Sequence, residues 1–271
     1  MTQDAKIQSA GLPQSKGDPV THAFIGHAMK VHSAVGPGLG EEIYHQELVG
    51  ALTKGGIVHL SKPRRDLVYR GIVADTFEPD FVIEEHFIPE LKCLRGSFAP
   101  EHLVQVFCYC KFWRLRTCLL VDFGKQSLMW KRLLYRSQSA GFTETSLPDF
   151  VSNRVLATTI IQAISQCLDE VGLGYRQTTW NGLVRAAMQA TGFQVHLNPT
   201  VTVLSHPGIT VCSLVVNGAC AVYVTALTDG INATDRATLQ THLRWLNLGW
   251  GIMFHFGKST ADLAFVQHPK R

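Results

Sequence analysis

The sequence lacks several features that define common protein classes. No stretch approaches the roughly 20 apolar residues of a membrane span, and the polar segment Met1 to Pro19 has no apolar secretory core. No Gly-x-x-x-x-Gly-Lys loop is present to cradle a phosphate, and no segment is typical of a helix that reads base pairs. These absences exclude a membrane-spanning protein and a P-loop nucleotide hydrolase. They favour a cytoplasmic protein with a flexible tail over residues 1–20.

Cysteine and charge are also sparse. The seven cysteines include no Cys-x-x-Cys pair. Four of them, Cys93, Cys108, Cys110 and Cys118, lie close enough in sequence to suggest a metal cluster, but Cys108 and Cys110 face different sides of a predicted helix, which favours reduced, buried cysteines.

Charged residues make up 17% and hydrophobic residues 46% of the 271 positions, so a folded core is expected. The net charge of +4 is compatible with a nucleic-acid partner.

The most informative segment is Asp80-Phe-Val-Ile-Glu-Glu-His-Phe-Ile-Pro-Glu-Leu-Lys92. It predicts two strands joined at Glu84-Glu85-His86. Because side chains alternate along a strand, Glu90 and Lys92 face the same side, and Asp80 can approach them if the strands pair. Two carboxylates with an ammonium group suit a hard divalent cation and a polarised water. The alternative is a solvated hairpin face.

Periodicity places this hairpin within an α/β unit. Apolar spacing predicts helices over 22–35, from Glu41 to about Lys54, and from Pro100 onward. The strands are predicted around 57–60, 66–70, 79–84, 86–92, 118–124 and 128–135.

The second half of the chain repeats the pattern. Val171-Gly-Leu-Gly174 before Trp180 corresponds to Val35-Gly-Pro-Gly38 before Tyr44 at an offset of 136. The segment 252–257 corresponds to 119–124 at an offset of 133. A tandem duplication is the economical hypothesis, with chance similarity as the alternative. We predict a first domain (21–136), a linker (137–150) and a degenerate repeat (151–271) whose similarity spans 155–266.

The predicted repeat has lost the acids. At these offsets Asp80, Glu90, Lys92 and Glu41 correspond to the uncharged residues Ser213, Tyr223, Thr225 and Gln177. Charge is depleted as well, because 31 Asp, Glu, Lys and Arg residues lie in 1–140 and 15 in 141–271. The second half therefore suits a packing partner better than a second active site.

Several ordered motifs carry a family resemblance. Gly38-Leu-Gly-Glu41-Glu-Ile-Tyr44 is followed by Tyr69-Arg-Gly71, Asp80, Glu90-Leu-Lys92, His102-x-x-Gln105-x-x-x-Tyr109 and Val121-Asp-Phe-Gly124. Over residues 22–136 this series resembles the GxxExxY proteins, a bacterial branch of the PD-(D/E)XK nuclease superfamily. The resemblance implies a restriction-endonuclease-like α/β core, a small mixed sheet flanked by helices, present here in tandem.

The resemblance also implies roles for individual residues. Asp80 and Glu90, with the backbone carbonyl of Leu91, would bind Mg²⁺ or Mn²⁺, and Glu41 would add a carboxylate directly or through water. Lys92 would orient the attacking water. Gln105 and Tyr109 would contact phosphate or a water on the metal. Taken without the resemblance, Glu41 is typical of a helix N-terminal acid, Lys92 of an exposed strand lysine, and the other two of a polar helix face.

Basic residues provide candidates for contacts with a phosphate backbone. We predict nucleic-acid binding by Lys62, Arg64, Arg65, Lys111, Arg114 and Arg116, with solvated surface charge as the alternative. Pro89 departs from the family pattern, because proline is rare in central strands, and it predicts a bulge or a distorted site.

The sequence thus favours a Mg²⁺-dependent nuclease that acts on DNA rather than RNA. The alternative is a catalytically inactive nucleic-acid-binding or assembly module on the same fold. A hydrolase of small phosphates is a third hypothesis, which no motif supports. The chain is expected to be a monomer with pseudo-dimeric halves or a homo-oligomer, with no membrane partner.

Overall fold

The computed structural model describes residues 18–268 except 137, 139, 144 and 145. Residues 1–17 of the predicted tail lie outside the described part of the chain. Asp18 caps the first helix, and residues 19 and 20 begin it. Four positions of the predicted linker also lie outside the described residues.

The first half alternates helices and short strands. Its described elements, in chain order, are α1 (Pro19–Val35), α2 (Glu41–Lys54), β1 (His59–Ser61), β2 (Arg65–Tyr69), β3 (Ile72–Phe77), β4 (Phe81–Ile83), β5 (Phe87–Lys92), α3 (Pro100–Trp113), β6 (Thr117–Asp122) and β7 (Met129–Leu134). The bounds predicted for α2 are confirmed. The strand β3 was not predicted, because Ala74, Asp75 and Thr76 interrupt its apolar alternation.

The first sheet opens into a fork. Its strand order is β1-β4-β5-β6-β7, in which β5 and β6 are parallel and the other neighbours are antiparallel. The strands β4 and β5 pair only at Ile83 and Phe87, and they diverge beyond this point. Asp80, predicted to lie in the first strand of the hairpin, instead immediately precedes β4. We call the space between Asp80 and the end of β5 the fork.

Pro89 lies on β5 where β4 and β5 have diverged, and β5 has no bulge there. The predicted bulge is therefore wrong. The pairing of β5 with β6 runs without a shift from Phe87 opposite Thr117 to Lys92 opposite Asp122. The N–H of Leu91 points toward Asp80, so the nitrogen of Pro89, two residues earlier, points to the same side. At that position β4 has already left the pairing. Proline therefore removes no sheet hydrogen bond.

The second half has the same topology. Its described elements are α4 (Arg154–Val171), α5 (Gln177–Ala190), β8 (Val195–Leu197), β9 (Thr200–Val203), β10 (His206–Thr210), β11 (Leu214–Val216), β12 (Cys220–Ala226), α6 (Ala233–Leu246), β13 (Trp250–Phe256) and β14 (Ala261–Gln267). Its sheet order is β8-β11-β12-β13-β14, with β12 and β13 parallel. The protein is thus a mixed α/β fold with two small mixed sheets flanked by helices. The duplication remains a prediction that this topology favours.

The two halves share one hydrophobic core. Phe77 and Tyr109 of the first half belong to the same buried cluster as Trp180 and Phe256 of the second. A separate cluster, with Phe24 and Tyr44, fills the space between the first sheet and α1 and α2. The predicted linker therefore separates two segments of chain that share their largest core, although each also has a smaller cluster of its own.

The hairpin β2–β3 of the first half packs on α5 of the second. Thr179 donates its hydroxyl to the carboxylate of Asp75 at 2.5 Å, and Arg185 donates to the carbonyl of Val73 at 2.7 Å. A glycine at position 182 allows the backbone of Ala74 to lie directly against the helix. Because β3 leads through residues 78 and 79 to Asp80, this contact helps to position the fork.

Lys111 of α3 joins the halves at a second place. Its ammonium group donates to the carbonyl oxygens of Val171, Gly172 and Leu173 at 2.7, 3.1 and 2.8 Å. These carbonyls lie at the end of α4, where backbone acceptors lack helical partners. Burial lowers the pKa of Lys111 to about 8. The side chain therefore caps the end of α4 between the halves, and a phosphate would have to compete with three carbonyls for the ammonium of Lys111.

Two predictions from composition can be compared with the structure. No helix among the described residues is long and apolar enough to cross a membrane. All seven cysteines are free, and five of them are buried, as predicted for reduced cysteines.

Candidate active site

Asp80 and β5 face each other across the fork. One carboxylate oxygen of Asp80 accepts the N–H of Leu91 at 2.7 Å, and the N–H of Asp80 donates to Oε2 of Glu90 at 3.2 Å. The carbonyl of Lys92 accepts from Phe123 on the β6 side. Because successive carbonyls along a strand point to opposite sides, the carbonyl of Leu91 faces Asp80. Three oxygen-bearing groups therefore converge on the fork.

Glu90 and Lys92 lie on the same face of β5, as the alternation predicts. Their side chains form a buried ion pair, with Nζ of Lys92 2.9 Å from Oε1 of Glu90. Only 4% of Glu90 and 9% of Lys92 are exposed. A pair so well shielded from water interacts more strongly than a surface pair, although its desolvation is costly.

The helix α3 supplies the amide and the phenol predicted from its i, i+4 spacing. Nε2 of Gln105 donates to Oε1 of Glu90 at 2.8 Å and to the hydroxyl oxygen of Tyr109 at 3.1 Å. Tyr109 in turn donates to the carbonyl of Glu78 at 3.2 Å. Burial and the nearby Glu90 raise the pKa of Tyr109 to about 12, so this phenol remains a donor at neutral pH.

Glu41 lies apart from this group. It is exposed in the first turn of α2, where its carboxylate accepts the N–H of Cys93 at 3.1 Å. The structure therefore does not bring Glu41 together with Asp80 and Glu90, although it places Glu41 beside the end of the same strand. Its position combines a helix N-terminal acid with a cap on β5.

The electrostatics of the fork centre on Glu90. Burial raises the pKa of this carboxyl from its ordinary value, and the nearby carboxylate of Asp80 raises it further. The ammonium of Lys92 opposes both effects. Two carboxylates that repel each other across a buried gap favour either a proton or a cation between them.

Asp80, Glu90 and Lys92 occur in this order along the chain, and they lie where two strands of a small mixed sheet diverge. Residues 18–133 match the PD-(D/E)XK nuclease superfamily. No curated protein and no solved structure matches the chain. The first half is thus similar to the PD-(D/E)XK nucleases, and nucleases of this superfamily generally use divalent metals.

The possible metal ligands at the fork are of the kind that a hard cation prefers, but they are few. Among the described residues, no three His, Cys, Asp or Glu side chains are grouped so that they could hold a metal ion. Asp80 and Glu90 supply two carboxylates, and the carbonyl of Leu91 supplies a third oxygen. Such oxygen ligands fit Mg²⁺ or Mn²⁺, which usually retain several waters and need few protein ligands.

The raised pKa of Glu90 gives a prediction for the pH dependence of stability. The folded protein keeps a proton on Glu90 up to a pKa of about 7, whereas the carboxyl of the unfolded chain releases it near 4.5. The stability that this proton contributes is present below the lower value and is lost as the pH rises through the higher one. From pH 5 to 8 we expect the wild type to lose stability relative to Glu90→Gln in urea denaturation. Parallel pH profiles of the two proteins would contradict this assignment.

The predicted nucleic-acid contacts fall in two places. Lys62 adjoins the fork, since its N–H donates to the carbonyl of Asp80 at 2.9 Å, while its ammonium pairs with Glu42. Arg64 lies 3.6 Å from Glu78, and Arg65 is exposed at the start of β2.

Arg114 and Arg116 lie elsewhere. Arg116 immediately precedes β6, whose first residue is opposite Phe87, whereas the last residue of β6 is opposite Lys92. Five residues of strand correspond to about 16 Å. These two arginines are therefore at the far end of the sheet from the fork.

Sequence reasoning missed two residues that support the site. His45 is buried on α2, with Nε2 3.3 Å from the carbonyl of Asp80 and its ring stacked on Phe81. Its i+4 spacing from Glu41 was the available signal. Asp122 is buried at the end of β6 and accepts the N–H groups of Leu94 and Gly124, each at 2.9 Å. Both residues hold backbone that leads into the fork.

The corresponding region of the second half is neutral. Ser213 precedes β11 as Asp80 precedes β4, and its hydroxyl lies 2.8 Å from Nδ1 of His242. Thr225 on β12 lies 2.9 Å from Nδ1 of His255. These hydrogen bonds replace the carboxylates and the lysine of the first half, so this region offers no pair of acids.

Proposed function

We propose that the first half is a metal-dependent nuclease that hydrolyses phosphodiester bonds in DNA. The observation that carries this proposal is the fork, where Asp80 and Glu90 repel each other beside the ammonium of Lys92. A structural ion pair needs one acid and one base. A second acid at the same point increases the desolvation and repulsion, which a divalent cation would relieve.

The fork would hold Mg²⁺ or Mn²⁺ through Asp80, Glu90 and the carbonyl of Leu91. Such an ion supplies Lewis-acid stabilisation of phosphoryl charge and lowers the pKa of a bound water. Glu41, exposed beside Cys93, would contribute through water from the open side of the site. This ligand set keeps the roles predicted for all four residues, with Glu41 in an outer position.

Lys92 and α3 would complete the catalytic group. The ammonium of Lys92 would donate to the attacking water and to a non-bridging phosphoryl oxygen, where negative charge builds up. Gln105 holds Oε1 of Glu90 in place and would orient that carboxylate. Tyr109, which remains protonated, would keep the backbone at Glu78 in position and act on the substrate only through Gln105.

Lys62, Arg64 and Arg65 would bind the phosphate backbone on the approach to the fork. Lys62 and Arg64 already neutralise Glu42 and Glu78, so a phosphate would have to compete with these surface pairs. Surface pairs of this kind contribute little to stability, so a phosphodiester can replace them. We further propose that the second half is a degenerate, non-catalytic repeat that supports the first.

The first experiment is titration of Mn²⁺ into the wild type and into Glu90→Ala, followed by incubation of each with labelled single- and double-stranded DNA. We expect Glu90→Ala to lose Mn²⁺ binding and to reduce cleavage by about 10²- to 10³-fold, as is typical of removing one preorganised electrostatic group. Glu47→Ala is the matched control, because Glu47 is an exposed acid on α2. Cleavage that depends on Mn²⁺ but is unchanged in Glu90→Ala would contradict the proposal.

An inactive nucleic-acid-binding or assembly module is a second candidate. The observation that favours it is that every oxygen of Glu90 already has a protein donor, from Lys92, Gln105 and Asp80. A fork satisfied in this way needs no metal. If Mn²⁺ binds neither protein while DNA still binds the wild type, this second function is the correct one.

A further inference from the structure

A groove lies between the two halves, at the opposite end of α3 from the fork. It has a volume of about 750 Å³, which is within the range of small-molecule sites. The end of α3 and the start of β6 form one wall, and the end of α4 and Tyr175 form the other.

The groove carries arginines without acidic partners. Arg114, Arg116 and Arg136 line it, and among the described residues none of them forms an ion pair with a carboxylate. Glu170 also lines the groove, but its carboxylate pairs with Arg70 and accepts from Gln166 at 3.0 Å. The lining therefore has an excess of positive charge.

Two helices end at this groove, and the partial negative charge at a helix C-terminus would ordinarily repel an anion. Lys111 removes this obstacle at α4, because its ammonium covers the three terminal carbonyls. At α3, the backbone N–H of Arg114 donates to the carbonyls of Cys110 and Lys111 at the helix end.

Arg114 occupies an unusual backbone position for an arginine. Its φ and ψ of 57° and 33° are left-handed, a conformation that costs most L-residues about 1–2 kcal/mol. The residue that ends α6 at the same point of the second half is Asn247, with φ 54° and ψ 43°. Asparagine tolerates this conformation better than arginine, so the presence of an arginine here is consistent with a use for its side chain.

The groove also offers aromatic surface. The half-buried Phe112 lines it beside Leu67 and Leu115, whereas Tyr175 is buried, with its ring stacked on Phe77 and covered by the ammonium of Lys111. Guanidinium groups bind phosphate through paired hydrogen bonds, and aromatic rings stack on nucleobases. We propose that this groove binds a nucleotide, with its phosphate on Arg114 and Arg116 and its base against Phe112. The site is separate from the fork, and the proposal does not require cleavage there.

The test measures the binding of two probes in EDTA, in the absence of metal. The probes distinguish a nucleotide within a DNA strand from a free nucleotide. These are a fluorescein-labelled ten-residue oligothymidylate, followed by anisotropy, and free dATP, followed by calorimetry. We expect Arg114→Ala/Arg116→Ala to weaken binding at least tenfold. If the oligonucleotide is the ligand, the slope of log affinity against log salt should fall by about 1.4, or 0.7 for each lost contact with a single strand.

A charge-matched control separates this site from a general effect of net charge. Lys30→Ala/Arg236→Ala also removes two exposed cations, on α1 and α6, and should change affinity less than twofold. Circular dichroism checks that both double variants fold. Equal binding by the two variants, or binding of neither probe to the wild type, would overturn the proposal.

The outcomes for the groove and for the proposed nuclease activity can be distinguished. Loss of probe binding in the arginine variant with no cleavage by the wild type would support the groove and contradict the nuclease. If the arginine variant retains probe binding and the wild type shows Mn²⁺-dependent cleavage, the nuclease is supported and the groove is contradicted.

Discussion

Gly182→Ala is expected to lower the free energy of unfolding by about 2–3 kcal/mol, the upper part of the usual range for overpacking. A Cβ at this position would overlap the carbonyl oxygen of Ala74 and lie 2.7 Å from its carbonyl carbon. Both are backbone atoms of β3, so no side-chain rotation can relieve the overlap. The gain of about 1 kcal/mol from placing alanine in a helix is too small to compensate.

The matched control is Gly50→Ala. Gly50 is also within a helix, α2, but a Cβ there meets no atom within 4 Å. We expect this variant to be more stable than the wild type by about 0.5–1 kcal/mol. Urea denaturation of the three proteins makes the comparison, and a Gly182→Ala variant that behaves like Gly50→Ala would show that β3 does not pack on α5 at this point.

Lys92→Met is expected to destabilise the protein by about 1 kcal/mol at pH 7.5 and by up to about 3 kcal/mol at pH 9, because the buried Glu90 without its cation must either stay charged or take up a proton against the rising pH. The pKa of Glu90 should then rise further, since burial and Asp80 would act unopposed. Both partners are shielded, with 11% and 5% of the Lys92 and Glu90 side chains exposed. A surface pair would not give an effect of this size.

The double variant Glu90→Gln/Lys92→Met separates stability from catalysis. Removing both charges should recover most of the stability, since replacing a buried pair with neutral groups is often nearly neutral. It should not recover DNA cleavage, because the proposed ligand and the proposed donor are both absent. Denaturation at pH 7.5 and at pH 9 and cleavage assays give the two readouts. A double variant as unstable as Lys92→Met would contradict the coupling, and an active one would contradict the proposed roles.

Much of the first half could be predicted from the sequence because its signals are local. Glu41 and Gly55 fix the ends of α2 within the first and last turns. The alternation in β5 placed Glu90 and Lys92 on one face, and the i, i+4 spacing in α3 placed Gln105 with Tyr109.

The remaining features depend on partners distant in sequence. The strand β3 has a weak pattern of its own, and its position depends on Gly182, more than 100 residues later. Lys111 resembles any surface lysine until α4 supplies three carbonyls. Pro89 seemed incompatible with a central strand, because only the divergence of β4 leaves its nitrogen without a required partner.

The contact between β3 and α5 also determines the symmetry of the molecule. At the offset of 136, the residues that receive the hairpin, Thr179, Gly182 and Arg185, correspond on α2 to Ile43, Gln46 and Val49. On this surface of α2 a glutamine replaces the glycine, and apolar side chains replace the threonine and arginine donors, so the hairpin β9–β10 has no equivalent contact to make there. The strand β9 packs instead on α6 of its own half, so the contacts between the two halves are asymmetric. The half that contains the fork is the one whose hairpin is held, and the second half supplies the helix that holds it.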